Sequence, residues 1–224
     1  MYLLDVARGP LLAAALAILA AGSIWRVLVI VRRPTRHDYS EARPHRPVAG
    51  ALRGILQRMW PSAVLRPDVR VGVFNAYAYH IGLAIVFFGF APHIAFVQRL
   101  TGLAWPAVPG WLFVAAVASV FIGLAYALIA RLTSPVLRLL SGFDDYASWA
   151  LTLLPVLTGM AVLSLPLDAA YPARPLYPGP VAVHLLSVLL LLVYLPFGKL
   201  SHVFLVFVSR GTTGAAFARK GAAP

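Results

Sequence analysis

Five stretches of this chain are each long and apolar enough to cross a lipid bilayer, and nothing else in the sequence constrains the fold as strongly. A helix needs about 20 apolar residues to cross a hydrocarbon core of about 30 Å. The runs extend roughly over residues 9–31, 71–97, 111–130, 146–165 and 181–208. Hydrocarbon offers no water to backbone N–H and C=O groups, so such runs must bond internally as helices. The expected fold is an all-α membrane bundle of five transmembrane helices, a single domain over residues 1–224. Composition agrees: 61% hydrophobic residues, 12% charged residues and a mean hydropathy of +0.83 exclude an ordinary soluble surface. A secretory signal is the competing reading of the first run, because it follows Arg8 and carries Ala20, Ala21 and Gly22 where a cleavage site would stand. The run continues past Trp25 to Val31 and stops at Arg32 and Arg33, which favours an anchor.

Charge orients the spans. Nineteen Lys and Arg face seven Asp and Glu, a formal net charge of +12. Arg32, Arg33, Arg36, Arg43, Arg46, Arg53, Arg58, Arg66 and Arg70 fall between the first and second runs, Arg131 and Arg138 between the third and fourth, and Arg210, Arg219 and Lys220 in the tail. The opposite side holds Arg8, Arg99 and Arg174. Basic residues stay cytoplasmic, so the N-terminus is expected outside and the C-terminus in the cytoplasm. The basic connection, residues 32–70, has two parts. Residues 33–49 are rich in Pro and charge and are expected to be irregular. Over 50–66, Leu52, Ile55, Leu56, Met59, Trp60 and Val64 recur at helical spacing, which predicts an interfacial helix attracted to anionic lipid or serving a cytoplasmic partner. Nucleic acid is not an expected partner.

Absence of cysteine excludes disulfides, thiolate-held iron–sulfur clusters and CxxCH haem attachment. Any bound redox metal must then rely on histidine. His37 and His45 lie in the polar connection, but His80 and His93 fall in the second run and His184 and His202 in the fifth. An ionisable side chain at membrane depth is costly and reads as functional. The two spans run in opposite directions, so the histidines match by depth as two pairs, His80 with His202 and His93 with His184. Along a helix the spacings of thirteen and eighteen amount to about 20 Å and about 27 Å, too far for one metal ion to collect all four. Two sites with one imidazole from either side suit haem b held between two axial histidines. On an ideal helix eighteen residues bring His184 and His202 to one face, whereas thirteen leave His80 and His93 about 140° apart. Gly89 and Pro92 offer a place for the second span to bend. Phe74, Tyr77, Tyr79, Phe87, Phe88 and Phe90 can flank a haem or simply pack. Arg26, Arg99, Lys199, Ser201 and Arg210, near the span ends, are candidate contacts for haem propionates. Asp144 and Asp145 suit the N-terminus of the fourth span, and no catalytic residue is assigned.

The stretches ALRGILQRMWPSAVLRPDVRVGVFNAYAYHIGLAIVFFGFAPHI and VHLLSVLLLLVYLPFGKLSHVFLVF resemble the di-haem cytochrome b family of the respiratory nitrate reductase gamma subunit. That family includes membrane cytochrome b subunits of sulfur-metabolism and heterodisulfide-reductase-like complexes. The resemblance implies two haem b, with His93 and His184 on the exterior-side haem and His80 and His202 on the cytoplasmic-side one. It further implies a subunit of a respiratory oxidoreductase in a prokaryotic cytoplasmic (inner) membrane, exchanging electrons between the quinol/quinone pool and a cytoplasmic partner. That partner would be an iron–sulfur subunit, or one carrying flavin or molybdenum, and this chain would hold no complete substrate site of its own. The thirteen-residue spacing and the lack of a lysine early in the third span depart from the nitrate reductase pattern, so the resemblance reaches the family and not the complex. Two other readings stay open: a ferric-reductase-like transmembrane haem protein, and a haem-free, histidine-lined transporter or assembly protein.

Overall fold

The computed structural model describes residues 2–33, 46–59, 67–163 and 178–222, and every regular element among them is helical. In chain order these are α1 (Leu3–Val31), α2 (Pro47–Gln57), α3 (Pro67–Gly89), α4 (Ala91–Thr101), α5 (Gly110–Thr133), α6 (Pro135–Leu140), α7 (Phe143–Leu163), α8 (Pro178–Tyr194) and α9 (His202–Arg219). Proline opens α2, α3, α6 and α8, where its missing N–H costs nothing and its fixed φ suits the first turn. Helices α1, α5 and α7, and α3 from Arg70, are each long and apolar enough to cross a membrane. The pair formed by α8 and the segment Lys199–Arg219 qualifies as a fifth span if counted together, although it bends by 78°. Residues 60–66 of the expected interfacial helix lie outside the described residues, with Trp60 and Val64. So do His37, His45, Arg36, Arg43, Arg66 and Arg174.

The chain divides into two compact units, Met1–Ala63 with Leu157–Pro224, and Val64–Val156. In the first unit α1 packs along α8. A Cβ added to Gly22 would lie 2.8 Å from Pro196 Cγ, so glycine is what lets α1 close on the turn that follows α8. Helix α2 lies against α9 through glycine faces: a Cβ on Gly54 would meet Arg210 O at 2.7 Å and Gly214 Cα at 2.8 Å, and one on Gly50 would meet Gly214 O at 2.8 Å. Small residues spaced four apart allow backbones to approach this closely. The apolar stripe of α2 points elsewhere. Val48, Leu52 and Leu56 are 71%, 56% and 66% exposed and mark an outward edge, whereas the glycines, with the half-buried Ile55 beside Gly211, mark the protein-facing one. Arg58 stacks 5.5 Å from the Phe217 ring centroid, and Arg210 Nη1 donates to Met59 Sδ at 2.9 Å.

In the second unit α5 receives polar contacts from both neighbours. Asn75 Nδ2 on α3 donates to Gly123 O (3.0 Å), and Trp149 Nε1 on α7 donates to Leu124 O (2.8 Å). Gly82 and Gly123 again mark close approach, a Cβ there falling 2.9 Å from Ala116 O and 2.6 Å from Tyr79 Cβ. Arg131 ends α5 and Asp145 begins α7, and they join at 2.9 Å; Arg131 also donates to Ser141 Oγ, and Gly142 N donates to Asp145 Oδ2 (3.0 Å). Asp145 is therefore more than a helix-start carboxylate: it is buried, and it ties the two ends of one connection together.

Candidate metal-ligand histidines

Two breaks shape the site. In the stretch expected as one span over 71–97, α3 ends at Gly89, Phe90 is extended (φ −85°, ψ 125°), and α4 starts again at Ala91. Pro92 lacks the N–H that would bond back into α3, so the carbonyls of its last turn need other donors. They find them: Trp105 Nε1 donates to Phe88 O (2.5 Å), Val108 N to Gly89 O (2.9 Å) and His93 Nδ1 to Val86 O (2.9 Å). In the stretch expected as 181–208, α8 stops at Tyr194 because Pro196 cannot continue it. The chain then turns through Gly198, where a Cβ would fall onto the Tyr194 ring, and through a 3₁₀ turn at Lys199–Ser201, before α9 begins at His202. The angular arithmetic of an unbroken helix therefore does not apply between His184 and His202, or between His80 and His93.

The same arrangement appears twice. Each broken stretch carries one histidine inside its first helix, His80 in α3 and His184 in α8, and a second in the first turn after the break, His93 in α4 and His202 in α9. His93 and His202 both direct Nδ1 at a carbonyl near the break, Val86 O in the last turn of α3 and Lys199 O in the 3₁₀ turn (2.8 Å). His80 directs Nδ1 at Ala76 O (2.6 Å). A carbonyl oxygen only accepts, so in each case Nδ1 carries a proton, and Nε2 is the nitrogen through which a metal would be met. His184 directs Nδ1 at the Thr158 hydroxyl (3.2 Å).

Surroundings differ among the four. His80 and His202 are exposed, whereas His93 and His184 are half-buried. Of the expected aromatic stripe, Tyr79 stacks on His80 (centroids 4.3 Å apart), and Phe87 and Phe90 flank His93 at 5.8 and 5.2 Å. Phe88 instead meets Trp105, and Phe74 is exposed. The propionate candidates separate. Lys199 supplies the carbonyl that holds His202, Arg210 is drawn onto Met59, and Arg99 is exposed in the last turn of α4. Arg26 stands out, because its Nε is buried with no hydrogen-bond partner among the described residues. Thr158, Gly159 and Ser187 were not read as site residues from the sequence; Thr158 and His184 lie 26 positions apart, and no local pattern links them.

The donor chemistry fits haem. An imidazole that ligates through Nε2 characteristically donates Nδ1–H to a carbonyl or hydroxyl, which fixes its tautomer and ring orientation. The buried Arg26 Nε is a donor suited to a carboxylate.

No family model matches the chain, and no solved structure matches it. The chain is similar to a protein of Nitratidesulfovibrio vulgaris described only as "Protein", with 27% identity over 219 residues, covering 95% of this chain and 92% of the relative.

Proposed function

We propose that this chain is the di-haem b membrane subunit of a respiratory oxidoreductase in a prokaryotic cytoplasmic membrane, moving electrons between the quinol/quinone pool and a cytoplasmic iron–sulfur partner. The observation that carries the reading is the repeated placement of histidine before and just after a helix break, with each Nδ1 turned to a carbonyl or hydroxyl oxygen, so that Nε2 would be the nitrogen to meet iron. Pairing follows membrane depth, His80 with His202 and His93 with His184. The N-terminus is outside and the C-terminus cytoplasmic.

Bound haem would supply one-electron exchange at its iron. The chain's own residues do the rest. The carbonyls of Ala76, Val86 and Lys199 orient three imidazoles, and the Thr158 hydroxyl orients the fourth. The buried Arg26 Nε would neutralise a propionate carboxylate, and Lys199 and Arg99 would meet carboxylates near the span ends. Phe87 and Phe90 pack beside His93 and limit its rotation. The basic residues of α2 and α9 form the face for the partner subunit.

A reduced-minus-oxidised visible spectrum and a pyridine haemochrome assay on the detergent-purified protein test this directly. The expected result is about two b haems per chain, reducible by a quinol analogue. A folded, colourless preparation would leave the haem-free transporter or assembly protein as the surviving reading.

A further inference from the structure

His184 differs from the other three histidines in the acceptor of its Nδ1, a side-chain hydroxyl in place of a main-chain carbonyl. Three short contacts surround it. Ser187 Oγ donates to His184 O at 2.6 Å, Thr158 Oγ1 and Ser187 Oγ are 2.8 Å apart, and Thr158 Oγ1 and His184 Nδ1 are 3.2 Å apart. A hydroxyl has one proton to give. With the Ser187 proton on the His184 carbonyl, Ser187 Oγ accepts from Thr158. In that arrangement the Thr158 oxygen is the acceptor for His184 Nδ1–H. The contacts run from the ring of His184 through two hydroxyls to its own carbonyl. Ser187 is buried, and a Cβ on the adjacent Gly159 would lie 3.2 Å from His184 Cε1. Glycine thus makes the room that the ring occupies beside Thr158.

We infer that Thr158 and Ser187 are positioning residues for His184, holding its ring by the Nδ1–H···Oγ1 bond so that Nε2 is presented to iron as a strengthened donor. The inference rests on the haem reading. Linked hydroxyls polarise one another, which makes the Thr158 oxygen a better acceptor and gives the ring more imidazolate character. A more electron-rich ligand favours ferric over ferrous iron and lowers the midpoint potential of the haem that His184 holds.

The test compares Thr158→Val, which keeps the shape and removes the hydroxyl, with Thr158→Ser, which keeps the hydroxyl. Each variant is purified as the full chain and followed by haem content, redox titration of the visible bands and low-spin haem EPR. Thr158→Val is expected to shift one midpoint upward and move one EPR signal, or to lose that haem alone, whereas Thr158→Ser stays at wild-type values. Should valine prevent folding, Ser187→Ala reads the same contacts, because it removes the hydroxyl that Thr158 meets and must move the same midpoint. Wild-type midpoints in a haem-replete Thr158→Val, equal behaviour of the Val and Ser variants, or an unmoved midpoint in Ser187→Ala would overturn the inference alone. A colourless wild-type chain would instead overturn the haem reading, and this inference with it.

Discussion

A histidine placed just after a helix break is held by the backbone itself. The last turn of any helix presents carbonyls without intrahelical donors, and at Phe90 one of these, Val86 O, takes the His93 ring. The ring's orientation is therefore set by main chain that no substitution can remove, while the ring is freely deleted. From this follows a sharp expectation for single substitutions. On the proposed di-haem reading, His93→Ala or His184→Ala should reduce haem from about two to about one per chain, and His80→Ala or His202→Ala should remove the other one. The haemochrome assay with redox titration identifies which midpoint disappears, and loss of the same midpoint from His80→Ala and His93→Ala would refute the pairing by depth. The four histidines were legible in the sequence because ionisable groups are rare in apolar runs. Thr158 and Ser187 were not, because hydroxyls are common in membrane helices and nothing in their spacing shows what they face across helices. The Asp145–Arg131 bond was hidden for a similar reason: charge sign predicts which helix end each residue suits, and says nothing about mutual contact.

At the scale of elements, hydropathy found the apolar runs and missed their breaks. The runs through Gly89-Phe90-Ala91-Pro92 and Pro196-Phe197-Gly198 stay apolar throughout, so an averaging window passes over them. Their signal lay in the pairing of proline with glycine, read as a possible bend near Pro92 and not read at Pro196. Helix α2 repeats the lesson, since its apolar periodicity identifies the exposed stripe and is silent about Gly50 and Gly54, whose four-residue spacing carries the packing. Gly54→Leu should force α2 off α9. Overpacking of this kind costs about 1–3 kcal/mol, enough to raise local opening roughly 5- to 160-fold. Limited trypsin digestion at Arg53 and Arg58 reads that opening, with Leu52→Ala on the exposed stripe as the control expected to cleave at the wild-type rate. Unchanged cleavage in Gly54→Leu would show that the glycine contact does not hold α2.

For the molecule as a whole, the charge distribution makes a prediction independent of any cofactor. A fluorescent protein fused after Pro224 should fold and fluoresce in a bacterial host, whereas alkaline phosphatase at the same position should be inactive. The reverse result would invert the proposed orientation and move the basic face away from any cytoplasmic partner. The glycine contact between α2 and α9 also has a consequence for how the sequence can change over time. Glycine is the smallest residue, so every mutation at Gly50, Gly54 or Gly214 adds atoms to a place already filled by backbone. Drift can only loosen that contact and never tighten it. The opposite edge of α2, at Val48, Leu52 and Leu56, can exchange one apolar residue for another at little cost. A survey of tolerated substitutions along this one helix should therefore be lopsided, with Gly50 and Gly54 nearly frozen beside neighbours that wander freely.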